Sequence, residues 1–184
     1  MILPIGNGDY VIRSYESGDV AALMKYADNA AIARQLLDHF PHPYTEEAAH
    51  AWLRSAKKQD PEVSFAIATP DELIGGIGLL LRDDVFRRTA EVGYWLGEPF
   101  WGRGLATRAL RIFTRWAFRE HGFARLQARV FEFNPASRRV LEKAEFTLEG
   151  RLRHSVTKNG QLMDMYLYAL LASEVEEGGR EWNG

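Results

Sequence analysis

The stretch TAEVGYWLGEPFWGRGLATRALRIFTRWAF, residues 89–118, limits the possible folds of this chain more than any other. It reads as a strand over 89–96, a short glycine turn, and a long helix over 104–120. The helix carries an apolar stripe at Ala106, Ala109, Leu110, Phe113 and Ala117. ARLQARVF, residues 124–131, follows as a strand with Leu126, Ala128 and Val130 on one face. A strand, a crossover helix and a second strand close as a parallel pair, and no other connection in the chain calls for one.

The remaining elements arrange themselves around that unit. Residues 9–15 suit a first strand, and 19–37 read as one or two short helices. FPHPYT, residues 40–45, breaks the chain because two prolines exclude helix, and Thr45 then caps a helix running to about Lys58. Residues 64–69 and 72–81 flank a TPD turn and read as a hairpin. Asn134 and Pro135 open a short helix over 134–144. The last two strands meet at Lys158-Asn159-Gly160, a strong short hairpin signal. The expected class is therefore α/β: a single domain over residues 1–184 with a mixed, mostly antiparallel twisted sheet flanked by helices. Residues from about 173 read as a mobile tail.

Composition removes several function classes. The formal net charge is -2, so a general nucleic-acid or anionic-membrane surface is not indicated. The chain has no cysteine, which excludes disulfides, thiolate metal sites and a cysteine nucleophile, and fits a cytoplasmic protein. No stretch approaches the roughly 18–20 apolar residues of a membrane span, and no signal peptide is read at the N-terminus. No metal site is expected.

Two glycines, Gly102 and Gly104, flank Arg103 immediately before the long helix. The first N–H groups of a helix lack internal partners, and the helix dipole adds positive character there. Glycines leave room for an anion to reach that backbone, so a diphosphate site is expected; the plain alternative is a tight turn. A nucleotide P-loop needs Gly-Lys-Ser/Thr, which Gly104-Leu105-Ala106 does not supply. A dinucleotide fold needs a third glycine where Thr107 stands, and a second strand-helix-strand half that is absent.

The window Trp101-Gly102-Arg103-Gly104-Leu105-Ala106 resembles the phosphate loop of the GNAT superfamily of N-acetyltransferases, whose pattern is R/Q-x-x-G-x-G/A. Trp101 stands where the pattern has Arg or Gln. EVGYWL, FWGRGLATRAL and FNPASRRVLEKAEFTLEGRL, in that order, are similar to the ribosomal-protein alanine and serine N-acetyltransferase branch. FPHPYTEEAA resembles its substrate-side segment. The likeness covers nearly the whole chain. It implies acetyl-CoA as co-substrate, held in a V between the family's fourth and fifth strands. The amides of Gly102, Arg103, Gly104, Leu105, Ala106 and Thr107 would line its pyrophosphate, and the backbone of Trp95 and Leu96 would pair with pantetheine. Asn134 would cap its own helix and hydrogen-bond the cofactor. The acceptor is an amine-bearing small molecule or a protein N-terminus, and a homodimer is compatible with the resemblance alone. The alternative function is a non-catalytic module that senses an acyl-CoA or an amine.

Acetyl transfer requires a neutral amine, yet an α-amine has a pKa near 8 and a lysine amine near 10.4. A base must take the proton. Glu91, on the strand leading into the glycine turn, is the first candidate, against the reading of a solvent-facing or arginine-paired Glu. His42 and Glu98 are alternatives. The departing thiolate needs a donor. Ser137, three residues after Asn134, matches the resembled branch, with Tyr166 as runner-up. Phe40, Tyr44 and Trp52 could form an aromatic floor for an acceptor, or simply belong to the core. The family pattern K-x-G-F has Glu145 in place of its glycine, in Lys143-Ala144-Glu145-Phe146. If Glu145 keeps the glycine's left-handed conformation, it costs roughly 1–2 kcal/mol.

Overall fold

The computed structural model describes residues 1–177. The elements in chain order are β1 (Ile2–Ile5), β2 (Tyr10–Arg13), α1 (Val20–Ala27), α2 (Ala30–Ala33), α3 (Glu46–Lys57), β3 (Ser64–Ala68), β4 (Leu73–Leu81), β5 (Thr89–Leu96), α4 (Leu105–His121), β6 (Arg125–Phe131), α5 (Pro135–Lys143), β7 (Thr147–Lys158), β8 (Gln161–Leu171) and α6 (Ala172–Glu177). The strands form an open mixed sheet of order β1-β2-β3-β4-β5-β6-β8-β7, with helices against it. β5 and β6 form a parallel pair, as their crossover helix requires. The chain divides into two compact units, residues 1–78 with 94–109, and residues 79–93 with those from 110 onward.

In the first unit the expected opening strand is preceded by one more. Ile2–Ile5 pairs antiparallel with Tyr10–Arg13, from Ile2↔Arg13 to Ile5↔Tyr10. The turn between them holds Gly6 and Gly8, both at positive φ. The extra strand is four residues long and contains Pro4, which donates no ladder bond and suits the sheet's edge. The core gathers Ile12, Leu23, Ala49, Leu53, Ala56, Phe65, Ile67, Leu73 and Ile74, all buried. Thr45 caps α3 as expected, its hydroxyl accepting from the Ala48 amide at 3.2 Å. Gly76 is required by close approach: a Cβ there would lie 2.6 Å from both Trp95 Nε1 and Tyr15 Oη.

The second unit is built on β6, β8 and β7. β6 and β8 run antiparallel from Arg125↔Leu171 to Phe131↔Met165. Leu126, Ala128 and Val130 on one face of β6 are buried with Tyr168, Leu141 and Phe146. The β7–β8 turn places Asn159 at φ 51 and Gly160 at φ 75, the pair of left-handed residues a tight hairpin needs. The ladder between β7 and β8 is interrupted between Leu152 and Val156. Buried Asp164 organises that irregularity. One oxygen accepts the His154 amide at 2.7 Å, and the other accepts from Arg151 Nε. The expected tail from about 173 begins as α6, and its remainder lies outside the described residues.

α5 ends as the sequence pattern anticipated. The Glu145 amide donates to the Glu142 carbonyl at 3.1 Å and the Phe146 amide to the Leu141 carbonyl at 3.0 Å, the paired bonds of a Schellman end. Glu145 holds the left-handed position at φ 71 without being glycine. Its carboxylate lies 3.9 Å from Arg111, an exposed contact of small worth. Glu145→Gly is therefore expected to stabilise the protein by about 1 kcal/mol in urea unfolding, because the Cβ strain exceeds the lost ion pair. An unchanged or lower midpoint would show that this helix end carries no strain.

The Asp164 contacts also set a pH dependence. The His154 amide, and then Arg151, hold the Asp164 carboxyl below its ordinary value. A group depressed in the folded state contributes stability above its unfolded value, about 3.9, and loses that contribution as pH falls through the folded value. The stability gap between the parent and Asp164→Asn should be widest near neutral pH and narrow below about pH 4. Urea unfolding across that range reads the gap directly, and a gap independent of pH would contradict the assignment.

Candidate functional site

The glycine turn and the start of α4 lie within the first unit. Gly102 and Gly104 have φ of 75° and 71°, a region that non-glycine residues rarely enter. No atom lies within 4 Å of where a Cβ on Gly102 would stand. Residues 101–104 are exposed. The bond from the Arg108 amide to the Gly104 carbonyl, 3.1 Å, begins the α4 ladder, so the amides of Leu105, Ala106 and Thr107 precede it. Arg108 also donates to the Arg103 carbonyl at 3.4 Å. The result is a bare, positively polarised helix start with two glycines keeping its approach open. These groups suit a pyrophosphate in donor type and in space.

Trp101 has a role that the sequence did not disclose. Its indole Nε1 donates to the Leu96 carbonyl at 2.6 Å, closing residues 96–101 into a ring. The Leu96 carbonyl, expected to face pantetheine, is thus already engaged on one lone pair. Trp95 packs edge-on to Phe40 at 5.9 Å, and Phe40 lies 5.3 Å from Tyr44. Trp52 meets Tyr15 edge-on at 5.8 Å. Burial pushes the Tyr44 phenol up to about 12. His42 faces Asp28 at 3.1 Å. Glu98 accepts from Asn29 at 2.6 Å and lines a shallow depression with Tyr26 and Pro99.

Glu91, Asn134, Ser137 and Tyr166 belong to the second unit. Parallel pairing of β5 with β6 runs from Thr89↔Arg125 to Glu91↔Gln127, while both strands continue beyond it. Glu91 therefore stands at the last rung of that pairing, its side chain 14% exposed. Its two oxygens accept from Arg129 Nε at 2.9 and 3.0 Å. One of them also lies 3.5 Å from Arg82 Nη2 and from Gln127 Nε2. The arginine-paired alternative is the geometry found, and neither arginine was singled out from sequence. Arg129 follows Gln127 by two residues on β6 and so shares its face, but that signal is readable only once the register across α4 is known.

Asn134 is buried and caps α5, its side-chain oxygen accepting the Ser137 amide at 3.0 Å. Ser137 is half-buried in the first turn. Tyr166 lies under Arg138, whose guanidinium carbon is 4.0 Å from the ring centre. Among the described residues there is no group of three or more His, Asp or Glu side chains arranged to hold a metal ion. None of the described helices is long and apolar enough to cross a membrane.

A profile described as the acetyltransferase (GNAT) domain matches residues 10–147. The chain belongs to the GNAT acetyltransferase family. A protein named "Probable N-acetyltransferase YjcK", from Bacillus subtilis (strain 168), is 37% identical over 122 residues, 65% of this chain and 67% of the relative. The ribosomal-protein-serine acetyltransferase of Escherichia coli (strain K12) is 34% identical over 105 residues, 57% of this chain and 58% of that protein. Mycobacterium smegmatis RimJ, solved in complex with CoA-disulfide, has the same fold, with a TM-score of 0.82 at 23% identity over 100% of this chain and 96% of its own. The chain is accordingly an acetyl-CoA-dependent N-acetyltransferase of GNAT fold.

Gly104→Val tests the helix start. A β-branched side chain at φ 71 is strained, and a Cβ there already lies 3.6 Å from Arg108 Nη1. Calorimetry should show acetyl-CoA affinity falling by at least about tenfold, roughly 1.4 kcal/mol, in a variant that still unfolds cooperatively. Undiminished affinity would remove the turn from the cofactor site.

Proposed function

We propose that the chain works as one acetyltransferase domain, in the cytoplasm, moving an acetyl group directly from acetyl-CoA to a primary amine, with a protein N-terminus as the acceptor class. The observation that carries this reading is the open start of α4, whose free amides follow two left-handed glycines in a GNAT chain. The relative named for ribosomal-protein serine acetylation supports the acceptor class. Acetyl-CoA, when bound, supplies an activated acetyl thioester.

The roles follow from the residues in each unit. The amides of Gly102, Arg103, Gly104, Leu105, Ala106 and Thr107 hold the pyrophosphate. Trp95 and Leu96 offer strand backbone to the pantetheine arm, with Trp101 fixing the Leu96 carbonyl. Asn134 holds the first turn of α5 and hydrogen-bonds the cofactor. Ser137 directs its hydroxyl at the departing sulfur; a hydroxyl is a weak acid and acts there as a hydrogen-bond donor. Glu91 takes the proton of the acceptor ammonium, directly or through one water. Its carboxylate is held in place by Arg129, Arg82 and Gln127, so it meets the amine in a fixed orientation.

Glu91→Gln keeps the shape and removes the proton-accepting oxygen. Acetyl-CoA affinity should be retained while kcat falls by roughly 100- to 10,000-fold, and the loss should shrink at high pH, where the amine deprotonates unaided. Ser137→Ala should lose activity without that rescue. The measurement is CoA release with a panel of N-terminal peptides across pH. Near-parental kcat in Glu91→Gln at neutral pH would exclude Glu91 as the base.

A further inference from the structure

Two guanidinium groups converge on the single carboxylate of Glu91, leaving an excess of positive charge. Arg129 contributes only its Nε to that carboxylate. Among the described residues its two terminal nitrogens make no hydrogen bond, and its side chain is 37% exposed. Arg82 reaches Glu91 at 3.5 Å through one terminal nitrogen and is 33% exposed. An arginine fixed at Nε presents the paired terminal N–H groups, the edge that receives a carboxylate through two parallel bonds. The anchoring matters because a long side chain otherwise loses rotamer freedom when it binds.

This arrangement has a consequence for the acceptor, and it rests on the reading of Glu91 as the base. If the reacting amine is delivered to Glu91, a group carried close to that amine meets the free edge of Arg129. A second ammonium would meet two guanidinium groups and be repelled. A carboxylate would be drawn in.

We propose that Arg129, positioned by Glu91, is a specificity-determining residue that receives a carboxylate carried next to the acceptor amine. The carboxylate comes either from an acidic side chain in the second position of a peptide or from the α-carboxylate of a free amino acid. Aliphatic polyamines are the acceptors this edge disfavours.

The test uses the whole protein saturated with CoA, so that binding is read without turnover. Two peptides, Ser-Asp-Gly-Gly and Ser-Asn-Gly-Gly, each carry a neutral fluorescent label at the C-terminus, and their affinities are measured by anisotropy. The acidic peptide should bind at least about tenfold more tightly to the parent, a difference of roughly 1.4 kcal/mol. In Arg129→Gln the ratio should fall to within about twofold, and Arg129→Lys should restore part of it because the charge returns without the fork. Competition by serine against serinamide separates the two sources: displacement by serine alone assigns the edge to an α-carboxylate, and displacement by neither assigns it to the side chain. Equal affinity for the two peptides, failure of both to bind, or an unchanged ratio in a folded Arg129→Gln would overturn the proposal. CoA release from acetyl-CoA with the same peptides is read separately. Acidic preference without any release would sink the catalytic reading of Glu91 and leave the anion edge standing, whereas release without preference would do the reverse.

Discussion

Parallel pairing between β5 and β6 is the constraint from which the surroundings of Glu91 follow. A parallel pair cannot be closed by a tight turn, so the chain must travel the length of a helix between its two strands. That helix begins after a short loop and the glycine turn that follow β5, and its first amides precede its hydrogen-bond ladder. It ends where β6 can begin, which sets Thr89 opposite Arg125 and Glu91 opposite Gln127. The same pairing brings the carboxylate of Glu91 on β5 beside Arg129 on β6. A polar cluster at the end of a ladder avoids burying charge within it, since Glu91, Arg82 and Arg129 all retain solvent contact.

Much of this was legible because the information is local. Thr45 and Asn134 precede helices and cap them, each through a bond that spans three residues. Asn159-Gly160 specifies its turn through the φ values that those two residue types tolerate. Glu145 was readable as an exception, since a pattern that asks for glycine predicts the conformation even when another residue occupies it. β1 escaped notice because four residues containing a proline give little periodic signal, although Gly6 and Gly8 mark its turn. The partners of Glu91 escaped for a different reason. Their identity depends on a register set across a helix of 17 residues, and no local pattern encodes which residue of β6 faces which residue of β5.

The second unit shows how an irregular strand is stabilised. β7 departs from regular pairing between Leu152 and Val156, with His154 at φ 49. A bulge on an outer strand leaves backbone groups without ladder partners. Asp164 supplies the missing acceptor to the His154 amide and is itself fixed by Arg151. Its own amide donates to Glu132 at 3.1 Å, which ties β8 to the end of β6 just before the Asn134 cap. The irregularity in the hairpin and the end of β6 therefore share one hydrogen-bonded cluster.

The indole of Trp101 bears on how ordered the approach to the glycine turn is. By bonding to the Leu96 carbonyl it turns the segment between the strand and the glycine turn into a closed loop, spanned further by the amide bonds of Phe100 to Gly97 and Trp101 to Glu98. A loop cross-braced in this way has lost most of its conformational freedom during folding. For an anion bound as proposed at the start of α4, the entropic penalty of ordering the adjoining residues 96–101 falls on folding rather than on binding. Tryptophan, where the family pattern has arginine or glutamine, thus serves as a brace on the segment that leads into the glycine turn.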